Sequence, residues 1–265
     1  MTSEKLTAHT GAYGADQLVI NKIGMADLKD ALSRGLADFD AMPTHLAFLC
    51  LIYPLVTIGA AWVAAGYDVL QLVFPLLAGY TLIGPLVAVG TYELSRRREK
   101  GLDTSRRYAL GFLGSHSIIA IVALGGILTA VYFLWLFVAQ LLYLRYLGGV
   151  VPATIMEFVN LIFATPAGWA LIVAGNIAGF IFAAVVFSLS VVSFPLLLDR
   201  DTSVTVAVNT SLRAVIANPA VMAVWAFIVA GSLLIGSLPF FVGLAFVLPV
   251  LGHSSWHLYR KVVQP

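Results

Sequence analysis

The sequence predicts an all-α integral membrane protein with six transmembrane helices and amphipathic helices lying at the membrane surface. Three observations carry this. The 265 residues are 60% hydrophobic and only 11% charged, against about half and a quarter in a soluble domain. The apolar residues collect in charge-free runs long enough to cross a bilayer. Once those runs are laid across it, 14 of the 15 Lys and Arg residues fall on one side.

A hydrocarbon core of roughly 30 Å takes about 20 helical residues. Six segments meet that length: His45–Ala65, Val69–Tyr92, Ser117–Tyr143, Pro166–Ser188, Ala220–Leu238 and Phe240–His257. The last two are joined by Gly236, Ser237, Leu238 and Pro239, a tight hairpin. Backbone groups in lipid must be satisfied within the segment or in a closed barrel, and no run alternates like a barrel strand, so these are helices. The single cysteine, Cys50, lies inside an apolar run and has no intrachain partner. The first 40 residues hold no apolar core with a cleavage site, so the first span is expected to direct insertion.

Orientation follows from the positive-inside rule. Lys5, Lys22, Lys29 and Arg34 precede the first span, and Arg96, Arg97, Arg98, Lys100, Arg106 and Arg107 follow the second. Arg200 and Arg213 follow the fourth, and Arg260 and Lys261 follow the sixth. Only Arg145 faces the other way. Both termini are expected in the cytoplasm, with an even number of spans.

Shorter elements complete the chain. In residues 25–40, Leu28, Leu32, Leu36 and Phe39 form one helical stripe, while Asp27, Lys29, Asp30, Arg34, Asp38 and Asp40 take the other face. Such a helix lies along the inner leaflet. Residues 202–217 repeat the pattern with Val204, Val208, Leu212 and Val215. Between the third and fourth spans, Thr154 and Glu157 have capping-box spacing ahead of a short surface helix.

The two ends of the chain read as copies. A shift of 176 residues pairs Leu28 with Val204, Ala31 with Ala207, Leu32 with Val208, Leu36 with Leu212 and Pro43 with Pro219. A shift of 164 pairs Pro85 with Pro249, Tyr92 with Trp256, Leu94 with Leu258, Arg96 with Arg260 and Arg97 with Lys261. A fainter middle copy aligns Asp103-Thr104-Ser105 with Asp201-Thr202-Ser203, and places Pro195 where Pro85 and Pro249 stand. The organisation expected is a polar tail, 1–22, and one membrane domain, 23–265, divided into units 23–98, 103–200 and 201–265. Each unit is an interfacial helix plus a hairpin, and all three have the same orientation.

Charge in the middle of a bilayer is costly and usually functional, and no span carries any there. Glu93 sits beside Arg96 and Arg97 at an inner end, where pairing with them is expected. His253 and His257 lie on one face of the sixth span, and His45 and His116 open the first and third, all at the cytoplasmic level. Four imidazoles at one depth are candidate ligands for a metal or a haem iron. The plainer reading, that His suits the boundary between apolar and wet, is favoured. No catalytic grouping and no cofactor motif is found.

Two further features concern packing and lipid. Gly175 and Gly179 form a G-x-x-x-G face in the fourth span, with Asn176 between them, suited to close helix contact within the chain or with a partner. Arg96, Arg97, Arg98, Arg106 and Arg107 suit anionic head groups as well as setting topology. No aromatic interleaving accompanies this basic run, so nucleic acid is not expected as a partner.

The string Phe194-Pro195-Leu196-Leu197-Leu198-Asp199-Arg200-Asp201, then Thr210-Ser211-Leu212-Arg213-Ala214-Val215 and Asn218-Pro219, forms one pattern. It continues in Pro249-Val250-Leu251-Gly252-His253 and Trp256-His257-Leu258-Tyr259-Arg260. These residues resemble a proteobacterial family of predicted integral membrane proteins with a domain of unknown function. The resemblance implies a multi-pass inner-membrane protein and brings no activity, substrate or catalytic residue. The buried bis-His pattern of a catalytic haem–copper subunit is missing. The function expected is that of a non-enzymatic scaffold or accessory subunit, whose partners are the lipid bilayer and other membrane proteins or a second copy. A carrier or channel for a small solute is the alternative, and a haem- or metal-binding redox protein a more distant one.

Overall fold

The structure is a computed structural model that describes residues 18–42, 75–76, 84–85, 88–115, 117–238 and 241–264. The expected first span, most of the second, His45, His116, Pro43 and Pro239 lie outside the described residues, as does the side chain of Arg106. Among the described residues the regular elements are helical: α1 Met25–Ala41, α2 Val89–Glu99, a 3₁₀ segment Arg106–Gly114, α3 Ile118–Leu147, α4 Ile155–Phe163, α5 Pro166–Ser190, α6 Ser193–Asp199, α7 Val204–Ala217, α8 Pro219–Ser237 and α9 Leu244–Val262.

Three of these stretches are long and apolar enough to cross a membrane: α3, the continuous run of α5 and α6, and α8. Their outward faces are rich in exposed Ile, Val, Leu and Phe, including Ile119, Phe133 and Phe137 on α3, Phe180 and Ile181 on α5, and Phe227 and Leu234 on α8. That is the surface expected where lipid is the solvent. α3 has 30 residues, about 45 Å at 1.5 Å per residue, enough to cross with tilt. It ends at Gly148, whose φ of 63° is the left-handed cap conformation that glycine adopts without steric cost.

Local chemistry explains the joints. Thr154 caps α4 by accepting from the Glu157 N–H at 3.1 Å, while the Glu157 carboxylate accepts from the Ala153 N–H at 2.9 Å. Thr165 caps α5 by accepting from Gly168 N–H, with Pro166 in the first turn. A β-carbon on Gly168 would stand 2.1 Å from the Ile162 carbonyl, so only glycine lets α5 fold back on α4. Between α5 and α6 the helix breaks at Val191 and Val192. Pro195 is the cause, since it cannot donate to the Val191 carbonyl and its ring crowds that group. Ser211 Oγ on α7 accepts a hydrogen bond from the Val192 N–H at 3.3 Å.

α1 and α7 each bury part of the apolar stripe read from the sequence: Leu28 is buried, and Leu32, Val204, Val208 and Val215 pack partly buried against the core. The buried positions of α1 are Leu28, Ala31, Gly35 and Asp38, while Leu36 is exposed. Those of α7 are Ala207, Thr210, Ser211 and Ala214, and Leu212 is exposed. Each helix also turns small residues inward, which lets backbones approach closely where the outside is lipid, and leaves one residue of its stripe, Leu36 or Leu212, exposed. The positions coincide under the shift of 176: Ala31 with Ala207, Gly35 with Ser211, Asp38 with Ala214. The residues that end the two helices also share a backbone conformation, φ −133° and ψ 69° at Met42 and φ −131° and ψ 51° at Asn218.

α2, α6 and α9 pack against one another at the end of the bundle that carries Arg96, Arg200 and Arg260, the basic end. Around them, α1 lies on α9, the 3₁₀ segment on α2, and α7 on α5 and α6. The core here is aromatic and apolar, with Trp256, Tyr259, Phe194, Leu196 and Leu94 fully buried. Residues 18–24 run alongside the end of α9. The Asn21 N–H donates to the Val262 carbonyl at 2.8 Å, and the Gln264 N–H to the Val19 carbonyl at 3.2 Å. Asn218 holds the same segment by accepting from the Ile23 N–H and donating to the Asn21 carbonyl.

Candidate functional site at the basic end

The polar chemistry of the described residues gathers where α1, α2 and α9 meet. Two glycines allow the approach. A β-carbon on Gly35 would stand 2.0 Å from Ser254 Oγ, and one on Gly252 would stand 2.0 Å from Thr91 Oγ1. α9 is thereby clasped by α1 on one side and α2 on the other.

Asp38 is the centre of the resulting network and only 4% exposed. Its Oδ2 accepts from Ser95 Oγ at 2.5 Å and from His257 Nε2 at 2.9 Å, and its Oδ1 pairs with Arg98 Nη1 at 2.5 Å. Ser95 Oγ is also 2.7 Å from His253 Nδ1. A serine has one hydroxyl proton, which here goes to the carboxylate, so His253 donates its Nδ1–H to Ser95. The imidazole of His253 is fully buried, and its Nε2 has no hydrogen-bond partner among the described residues. Burial pushes the Asp38 carboxyl up. The hydrogen bonds from His257 and Ser95, with the neighbouring His257 and Arg98, outweigh it and hold the group below the usual carboxylate range.

A second, shallower set of pairs surrounds this network. Glu99 accepts from Trp256 Nε1 at 3.0 Å and Arg260 Nε at 3.1 Å, and Asp199 accepts from the Tyr259 hydroxyl at 2.9 Å and Arg260 Nη1 at 3.3 Å. Lys261 lies between Asp30 at 2.9 Å and Asp27 at 3.3 Å. The Asp30 hydrogen bond raises the pKa of Lys261. A cleft of about 500 Å³ opens between these groups, lined by Arg34, Ala37 and Asp38 of α1, by Ser95, Arg98 and Glu99 of α2, and by His257, Arg260 and Lys261 of α9.

The residues singled out in the sequence separate into groups. His253 and His257 join one network, each with one ring nitrogen engaged, and no set of three His, Cys, Asp or Glu among the described residues is arranged to hold a metal. Glu93 pairs with Arg96 at 2.8 Å and with Arg97 at 3.6 Å. Arg97 also stacks on Tyr108, 3.8 Å from the ring centre, and Arg107 pairs with Asp103. Four arginines of the basic run are therefore engaged within the chain, Arg98 with Asp38. Gly179 packs on Trp135 of α3, 3.4 Å from the position of a β-carbon, whereas nothing stands within 4 Å of the equivalent position on Gly175. Asn176 donates to its own helix, to the Ile172 carbonyl at 2.7 Å. No motif marks Asp38 or Ser95 as site residues; for Asp38 the available signal is the Ala31, Gly35, Asp38 spacing, a small-small-acid stripe on one helical face.

Among the described residues the fold is that of a helical integral membrane protein with several spans, whose polar groups collect at one end. Consistent with this, a family described as "Predicted integral membrane protein (DUF2189)" matches residues 73–199. That segment holds α2 to α6 and stops short of α9. No curated protein and no solved structure matches the chain.

Proposed function

We propose that the protein is a multi-pass protein of a bacterial inner membrane, a non-enzymatic scaffold or accessory subunit with six spans and both termini in the cytoplasm. The observation that carries this reading is the segregation of charge. α5 and α8 contain no Asp, Glu, Lys or Arg, and α3 has only Arg145, in its last turn. The ionised groups are knotted together at the basic end instead. A path for a charged solute would need polar groups along the spans. Long exposed apolar faces on α3, α5 and α8 suit contact with lipid and with other membrane helices. The pairing of residues 19–21 with 262–264 supports placing both ends of the domain on the same side, hence an even number of spans.

The domain is further read as three tandem units, 23–98, 103–200 and 201–265. In support, each interfacial element rests on the last helix of another unit: α1 on α9, the 3₁₀ segment on α2, and α7 on α5 and α6. Ser105 and Ser203 stand at the start of the second and third interfacial elements, with φ −54° and ψ 143° at Ser105 and φ −80° and ψ 157° at Ser203.

Purification in a mild detergent tests the function. A second protein or a second copy in fixed ratio supports the scaffold reading; a lone chain that retains a small solute supports a carrier instead. Topology is tested separately by a reporter active only in the cytoplasm. It is expected to work after Pro265 and to fail at Gly148, and the opposite pattern overturns the orientation.

A further inference from the structure

We propose that the cleft between α1, α2 and α9 binds a phosphoryl group, presented by a lipid head group or by a soluble phosphate compound. The balance of donors and acceptors in the cleft supports this independently of the scaffold reading. Two carboxylates line the cleft, and all of their oxygens are engaged: Asp38 by Ser95, His257 and Arg98, and Glu99 by Trp256 and Arg260. The cations are not used up. Arg34 spends only its Nε, on Asp30, and Arg98 only one terminal nitrogen, on Asp38. Arg260 uses Nε and one terminal nitrogen, and Lys261 directs its ammonium at two carboxylates with three hydrogens to give. Among the described residues the remaining guanidinium nitrogens have no partner.

A cleft whose carboxylates are each paired with a cation or other donor, and whose cations keep spare donors, selects a ligand that brings acceptors and negative charge. An oxyanion with three oxygens matches several guanidinium forks at once, and paired N–H groups of Arg fit phosphate better than a single-point cation does. The site also sits at the right depth. α1 is an amphipathic helix whose Leu36 points outward and whose Arg34 is well exposed beside the cleft, the placement of a helix in the head-group layer.

The test uses the full-length protein in detergent and follows its thermal unfolding against added probe. The probes are inorganic phosphate, phosphatidylglycerol in mixed micelles, and a galactosyl diacylglycerol that has no phosphate. Stabilisation by phosphatidylglycerol alone assigns the site to a lipid head group; stabilisation by inorganic phosphate as well assigns it to phosphoryl compounds in general. Arg34→Gln removes a single exposed fork, and its probe midpoint is expected to rise about fivefold, as for the loss of about one cation at a membrane surface. Lys261→Gln is expected to do the same, and Arg145→Gln, at the far end, to leave it unchanged. The proposal is overturned if neither phosphate probe stabilises the protein, if the galactolipid matches phosphatidylglycerol, or if Arg34→Gln and Lys261→Gln bind as the parent does.

Discussion

Gly35 of α1 lies against Ser254 of α9 with no room for a side chain: a β-carbon there would meet the serine hydroxyl at 2.0 Å and its backbone nitrogen at 2.7 Å. Because the second obstacle is backbone, rotation of Ser254 cannot relieve it. Gly35→Ala is expected to part α1 from α9 and destabilise the protein by about 1–3 kcal/mol, the usual cost of overpacking. A lower melting temperature in detergent checks this, and Ser254→Ala should not restore it.

Ser95 joins Asp38 to His253, and its loss strips both. Ser95→Ala leaves the buried Nδ1–H of His253 without an acceptor and removes one donor from Asp38. The expected cost is about 1–3 kcal/mol, the penalty of leaving a buried polar group unpaired. Ser95→Thr, which keeps the hydroxyl, should recover part of it. Chemical-shift changes at the His253 imidazole would show that the effect runs through the ring.

Asp38 predicts an acid limb to stability. Its folded pKa is below the usual value of about 3.9. Its contribution is therefore complete above that value and is lost as the pH falls through the lowered one. Asp38→Asn is expected to cost on the order of 2 kcal/mol near neutrality, less than a wholly buried pair because Arg98 is partly exposed. The gap between parent and variant should stay open down to about pH 5 and close below about pH 4. Melting curves of the two proteins across that range decide it. A gap that closed on the alkaline side would assign the effect to another group.

The two glycines of the G-x-x-x-G face are expected to differ. Gly179 touches Trp135, so Gly179→Leu must displace the indole and should lower stability. Gly175 opens onto empty space, so Gly175→Leu should leave the melting of the isolated chain unchanged. If Gly175→Leu nonetheless removes a co-purifying partner, that position is the seam between them.

The sequence made the element types readable, because charge-free runs, prolines and capping residues are local signals. Thr154 with Glu157 and Thr165 with Pro166 mark helix starts that the structure has. Which way a helix faces was less readable. The Leu28, Leu32, Leu36 stripe marks α1 as a helix of the membrane surface, yet Leu28 and Leu32 also pack on the core, and Gly35 on a neighbouring face makes the close contact with α9. That close packing carries Asp38 from the expected polar face into the interior, and with it the candidate site. The partnership of Asp38 with Ser95 spans 57 residues and that with His257 spans 219. Nothing local in the chain announces either.

The way α1, the 3₁₀ segment and α7 each lean on a helix from elsewhere in the chain also bears on how it can come apart. α1 needs α9 near the other end, and the 3₁₀ segment needs α2, so contacts cross any cut made between α2 and the 3₁₀ segment. A single cut at Gly101, on the exposed turn after α2, should release no fragment, since each piece would still be gripped by the other. The protein would keep its shape as a nicked ring does.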